Sequence, residues 1–190
     1  MEPSMILAIA VFVFLLVTVA QGVRQVPQGF KWVVQRLGKY SSTLNPGLNF
    51  IIPYIDTVAF KVTTKDIVLD IPSQEVITKD NAVIITNAVA YINIVSPEKA
   101  VYGVENYVIA IQTLVQTSLR SIVGEMNLDD ALSSRDHIKA KLKAAISDDI
   151  ADWGITLKTV EIQDINPSST MKQAMEEPVS YTHLTLPTKA

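Results

Sequence analysis

Residues 82–95 read AVIITNAVAYINIV, and this run decides the fold class. Ile84, Ala88, Ala90, Ile92 and Ile94 share one parity, while Asn87, Tyr91 and Asn93 share the other. A period of two puts an apolar set on one face of a β-strand and a mostly polar set on the other. A strand this long with one apolar face is expected at the centre of its sheet. Directly after it, Ser96-Pro97-Glu98 changes the period. Serine suits an N-cap, proline the first helical position, and an early glutamate complements the helix dipole. Strands before this point and helices after it predict an α+β domain.

Working toward the N-terminus, Lys79-Asp80-Asn81 is a short polar stop after the segment 74–78. It reads as a turn between two strands rather than a ligand site. Ile67, Leu69 and Ile71 alternate up to Pro72, and Val58, Phe60 and Val62 alternate before them. Residues 48–52 lie between the turn Asn45-Pro46-Gly47 and the stop at Pro53. Phe30, Trp32 and Val34 alternate with Lys31, Val33 and Gln35, entered through Pro27-Gln28-Gly29 and closed by Gly38. All are expected to pair antiparallel.

Toward the C-terminus the spacing is helical. After Asn106, residues Val108, Ile111, Val115, Leu119 and Ile122 share one face, and Gly124 closes it. Asn127 is expected to cap a short turn holding Leu128 and Leu132. From Ser134, Ile138, Leu142, Ala145, Ile146, Ile150 and Trp153 line one side of a second helix, opposite Lys139, Lys143, Asp148 and Asp152, and Gly154 ends it. Residues 155–165 return to strand. The inward candidates Ile155 and Leu157, then Val160 and Ile162, change parity, which predicts a bulge. Asn166-Pro167 repeats the cap-then-proline signal, so MKQAMEE at 171–177 is expected to open another helix.

The N-terminus has a different character. Residues 5–20, MILAIAVFVFLLVTVA, carry no charge and one hydroxyl, Thr18. Ile6, Leu7, Ile9, Val11, Phe12, Phe14, Leu15 and Val17 surround a helix axis on all sides, which suits lipid better than a core. After a tail at 1–4, a single transmembrane anchor is expected over 5–22. Glu2 is the only charged residue upstream and Thr18-Val19-Ala20 is a poor cleavage end, so a secretory signal fits less well. Arg24, Lys31, Arg36 and Lys39 follow with no acid among them. Positive flanks stay cytoplasmic, so the body is expected in the cytoplasm, with these four side chains as candidate lipid-headgroup contacts.

The chain has 190 residues, a formal net charge of -3 and 48% hydrophobic residues, enough after the anchor for one sizeable domain or two small ones. It has no cysteine, which removes disulfides, thiolate nucleophiles and sulfur-based zinc sites. Without a basic cluster, nucleic acid is not an expected partner. His137 is the one histidine outside 178–190, and it sits between Asp136 and Ile138 near a helix start, as a surface residue does. No G-x-S-x-G elbow, glycine-rich phosphate loop or HExxH pattern is present. Asp129-Asp130 and Asp148-Asp149 are neighbours on helices, where adjacent side chains point about 100° apart. They read as N-terminal charge or solvated surface. No catalytic, metal or cofactor-binding residue is expected, and the chain is read as a non-enzyme.

Several short motifs recur here in a recognisable order. They are Val26-Pro27-Gln28-Gly29, Arg36-Leu37-Gly38-Lys39-Tyr40, Leu44-Asn45-Pro46-Gly47-Leu48, Asp70-Ile71-Pro72-Ser73-Gln74 and Thr78-Lys79-Asp80-Asn81. Leu119-Arg120, Trp153-Gly154-Ile155 and Val160-Glu161-Ile162-Gln163-Asp164-Ile165 follow. Their order over 23–177 resembles the stomatin, prohibitin, flotillin and HflK/C family, also called SPFH or band 7, and within it the bacterial stomatin-like, QmcA-type branch.

The resemblance implies an SPFH domain over 23–165, with a strand-rich part at about 23–95 and a helix-helix-strand part at 96–165. A coiled-coil helix would begin at 166–177. It further implies a non-catalytic scaffold, single-pass in a bacterial inner membrane, whose copies close into a homo-oligomeric ring or cage. Membrane microdomains, a membrane protease and an NfeD-like membrane protein are the implied partners besides lipid. Glu161 and Asp164 would serve subunit or strand contacts. A membrane-anchored hydrolase and a monomeric lipid-binding module are the alternatives.

Residues 178–190, PVSYTHLTLPTKA, break the composition abruptly, and Pro178 would interrupt a helix. VSYTHLTLPT resembles a reading frame of a sequencing adapter, so this stretch is expected to be non-native and the coiled coil cut short.

Overall fold

The computed structural model describes residues 3–167; within it, the side chains of residues 3–6 and 8 are not described. A helix, α1 (Pro3–Gly22), comes first. Then come β1 (Val23–Val26), β2 (Phe30–Arg36), β3 (Lys39–Leu44), β4 (Gly47–Phe50), β5 (Asp56–Thr63), β6 (Ile67–Ile77) and β7 (Val83–Ile94). The helical part is α2 (Pro97–Tyr102), α3 (Tyr107–Gly124), α4 (Leu128–Ser133) and α5 (Arg135–Asp152), and β8 (Ile155–Pro167) returns to the sheet. This is the α+β order expected.

The strands form a β1-β4 ribbon, a sheet β3-β2-β5 and a sheet β6-β7-β8, every pair antiparallel. β7 is central, as its alternation predicts. Its Ile84, Ala88, Ala90, Ile92 and Ile94 are buried against Ile111, Val115 and Leu119 of α3 and Ile138, Leu142, Ile146 and Ile150 of α5. A second, smaller core joins the ribbon to the sheet through Val26, Val34, Leu44 and Ile51, with Phe30, Trp32 and Val58 packed on it. Consecutive strand residues face opposite ways, so β2 links the two cores: Val33 enters the larger and Val34 the smaller.

The bulge expected in β8 is present. Tyr91 pairs Thr159 and Ile92 pairs Leu157, leaving Lys158 unpaired. A second irregularity leaves Gln163 unpaired between Ile162 and Asp164. It returns Ile165 to the core, while Ile162 is only half-buried.

Several expectations are corrected. Pro72 does not end a strand: β6 runs through it to Ile77, with a register shift between Ile71 and Gln74 where a missing N–H costs no ladder bond. Ser96 and Asn127 make no side-chain cap bond, whereas Asn106 accepts from the N–H groups of Val108 and Ile109 at 3.1 and 3.2 Å. Gly124 adopts no left-handed conformation, since right-handed Glu125 closes α3. Ala145 is exposed. Asn166 and Pro167 pair with Ile85 and Ile84, so they extend β8 instead of opening a helix. The helix expected at 171–177 and the tail 178–190 lie outside the described residues.

Among the described residues, no helix is long and apolar enough to cross a membrane. What the fold contains is the 20-residue helix α1, with Leu7, Phe12, Phe14 and Leu15 exposed on it. The fold thus does not show the crossing expected over 5–22.

Candidate functional site

The junction between α1 and the body is built from Gly22. Ile51 donates its backbone N–H to the Gly22 carbonyl at 2.9 Å. A Cβ on Gly22 would stand 2.8 Å from the Ile51 oxygen and 3.1 Å from the Phe50 ring, so only glycine allows this approach. The ribbon then starts at once, with Val23 opposite Phe50 and Arg24 opposite Asn49.

Large apolar side chains project into solvent at this end of the molecule. Leu48 and Phe50 of β4 and Ile52, Tyr54 and Ile55 of the following loop are exposed. Leu37, 86% exposed, joins them through its N–H to the Ile55 carbonyl at 3.4 Å. Leu37 and Tyr54 both hold positive φ, 49° and 71°, unusual for bulky residues. Contiguous apolar exposure of this kind marks an interaction surface.

Of the four expected headgroup cations, the structure places Arg24, Arg36 and Lys39 near this end. Arg36 is engaged by Asp56, Nε to Oδ1 at 2.7 Å and Nη2 to Oδ2 at 3.1 Å, and Asp56 also accepts from the Ile52 N–H at 2.9 Å. The Arg36 guanidinium, with the Ile52 amide, holds the Asp56 carboxyl below the usual carboxylate range. Lys39 is exposed at the β2–β3 turn, opposite Arg36. Lys31 lies on β2 toward the end away from Leu37 and is half-buried. The four are therefore not one cluster.

Arg24 instead lines a cavity of about 360 Å³ with Trp32, Ile51, Asp56, Thr57, Val58 and Lys61. Lys61 Nζ stands 4.7 Å from the centre of the Trp32 ring, its cross-strand partner. Sequence reading missed Lys61 and Trp32 as site residues. The signal lies in the β2–β5 register, which no local pattern carries. A second cavity of about 390 Å³ lies between β3 and α2, lined by Tyr40, Glu98, Lys99, Tyr102, Gly103 and Asp152. There Tyr102 makes edge contacts with Tyr40 and Phe60 and accepts from Gln35 at 2.9 Å, joining the two halves.

Away from this end, Lys139 binds Glu161 and ties α5 to β8, while Lys158 reaches Asp66 at 2.7 Å. Glu161 thus makes a contact within the chain, and Asn87 accepts from the Asp164 N–H at 2.9 Å. His137 is exposed. Among the described residues no group of His, Asp or Glu is placed to hold a metal ion.

Residues 24–181 match the family model described as SPFH domain / Band 7 family. The chain belongs to this family. The match reaches into the stretch 178–190. Over 165 residues it is 39% identical to a stomatin homolog of Pyrococcus horikoshii, covering 87% of this chain and 62% of that protein. An uncharacterized protein of Methanocaldococcus jannaschii is 43% identical over 145 residues, 76% of this chain and 72% of its own length. An uncharacterized protein of Mycobacterium tuberculosis is 35% identical over 165 residues, 87% of this chain but 43% of its own length. The SPFH chain described here thus spans about half the length of several curated relatives. The band 7 match indicates no catalytic family.

Proposed function

We propose that this chain is the membrane-proximal part of a non-catalytic scaffold that assembles as a homo-oligomer on a bilayer. One observation carries the reading: the exposed apolar end, with Leu37, Leu48, Phe50 and Tyr54, is the end from which α1 emerges at Gly22. α1 holds 20 residues, with Leu7, Phe12, Phe14 and Leu15 exposed along it. If α1 crosses the bilayer, the apolar rim meets the headgroup boundary where the helix exits. Arg24 and Lys39 then offer charge to anionic lipid, with Arg36 contributing through its Asp56 pair, whereas Lys31, toward the far end of β2, does not. The absence of acids between Val23 and Lys39 supports a cytoplasmic body beneath a bacterial inner membrane.

Family membership supports the further steps. A coiled coil beginning beyond Pro167 in the native protein, with 178–190 foreign to it, would close copies into a ring or cage. Such an assembly would organise membrane microdomains and regulate membrane proteins, a protease or an NfeD-like partner among them. Mass measurement on the detergent-solubilised protein with its native C-terminus tests the assembly. A large homo-oligomer is expected, and a monomer would overturn it in favour of a monomeric lipid-binding module.

A further inference from the structure

We propose that the cavity bounded by Arg24, Trp32 and Lys61 binds a phosphate-bearing anion. Its position makes the headgroup of an anionic phospholipid the favoured source. That choice of source rests on the membrane reading above; the anion site itself does not.

The cavity's charge balance is positive. Arg24 and Lys61 both line it, and neither belongs to the three ion pairs found among the described residues. Asp56 is the one carboxylate in the lining, and its side chain is only 5% exposed. Both of its oxygens are already held, by the Arg36 fork and the Ile52 amide. An incoming anion therefore meets two available cations and a neutralised acid. Ile51 and Val58 supply apolar wall to the same lining. Two cations and an apolar wall suit a phosphate with a carbon substituent. A volume of about 360 Å³ lies in the range of small-ligand sites.

The location points to lipid. Arg24 is two residues past the end of α1, and Ile51 is the residue bonded to that end. A headgroup beside an emerging helix would thus lie within reach of the cavity without leaving the bilayer. Lys61 now rests over the Trp32 ring, an arrangement that a phosphate can draw away. Trp32 is consequently a built-in reporter.

The test uses the full chain in nonionic detergent micelles at fixed ionic strength, with Trp153→Phe so that Trp32 emission is read alone. It is titrated with dihexanoyl-phosphatidylglycerol, dihexanoyl-phosphatidylcholine and inorganic phosphate. A saturable Trp32 response to phosphatidylglycerol is expected, weakened by about tenfold or more in the Arg24→Gln/Lys61→Gln double variant, as loss of two charge-assisted contacts implies. Lys61→Arg should keep the response. Equal saturation by inorganic phosphate, with no gain from the lipid, would keep the anion site and overturn the lipid source. No saturable response to any probe would overturn the proposal, as would a double variant that folds normally and binds as wild type. Alkaline-carbonate extraction of membranes bearing wild type and double variant separates the two readings. Release of both would refute the anchor and leave the micelle titration to decide the cavity.

Discussion

The backbone N–H of Ile51 donates to the carbonyl of Gly22 at 2.9 Å, so the loop after β4 closes directly onto the last residue of α1. The helix is thereby held to the ribbon by a hydrogen bond as well as by chain connectivity. Gly22→Val should break this contact, because its Cβ would sit 2.8 Å from the Ile51 oxygen. Amide hydrogen exchange should accelerate at Ile51 and stay unchanged at Leu119 in the larger core. Unchanged protection at Ile51 would mean that the junction tolerates a side chain.

Asp80 links two distant turns. Its carboxylate accepts from the Thr78 hydroxyl and from the Leu128 N–H at 3.2 Å, and so caps α4 from outside the helix. Asp80→Ala should lower the urea midpoint measurably, whereas Asn127→Ala should change it little because Asn127 makes no cap bond. Asn106→Ala, which removes a real N-cap, should cost about 1 kcal/mol. A larger effect at Asn127 than at Asp80 would refute this assignment.

Acid should destabilise the body in a defined direction. Asp56 is held below the ordinary carboxylate range by Arg36, Asp66 by Lys158, Asp80 by Thr78 and Glu161 by Lys139. Each is more readily ionised folded than unfolded, so near the unfolded value, about 4, the unfolded chain binds more protons. Their contribution is complete above that value and is lost as pH falls through the lowered folded values. The urea midpoint should be level from about pH 7 to 5 and fall below about pH 4, less steeply in Asp66→Asn. A midpoint that rose on acidification would contradict the ion-pair assignments.

Gly154 adopts φ +69° after α5, and an added Cβ would meet both the Cβ and the carbonyl oxygen of Ser96 at 2.7 Å. Its carbonyl also accepts the N–H groups of Val95 and Ser96. Gly154→Ala should therefore cost about 1–3 kcal/mol in chemical denaturation, from backbone strain and crowding together. Leu119→Ala, a plain core truncation, sets the comparison at about 2–5 kcal/mol. A Gly154→Ala protein as stable as wild type would show that the Ser96 contact yields freely.

Periodicity made the larger core legible. The parity of Ile84 to Ile94, the i, i+4 stripe from Ile138 to Ile150 and the parity change around Lys158 are local signals, and each corresponds to an observed element. What escaped depends on residues distant in sequence. Pro72 reads as a stop until the β6–β7 register shows a bulge there. Ser96 reads as a cap, yet its side chain makes no cap bond, while its N–H donates to the Gly154 carbonyl. Asn166-Pro167 carries a helix-start signal that pairing with Ile85 and Ile84 overrides. At the candidate site, Arg24 was visible from its place after an apolar helix. Its companions Lys61 and Trp32 meet only through the β2–β5 ladder.

The account turns on which end of the body faces the bilayer, and a chain without cysteine allows that to be measured at chosen points. Single cysteines in place of Leu48, Tyr54 and Ala145, each carrying an environment-sensitive fluorophore, would be read in proteoliposomes containing nitroxide-labelled lipid. Strong quenching at positions 48 and 54 with none at 145 is the predicted result. Equal quenching at all three positions, or none at 48 and 54, would contradict a membrane-facing apolar end.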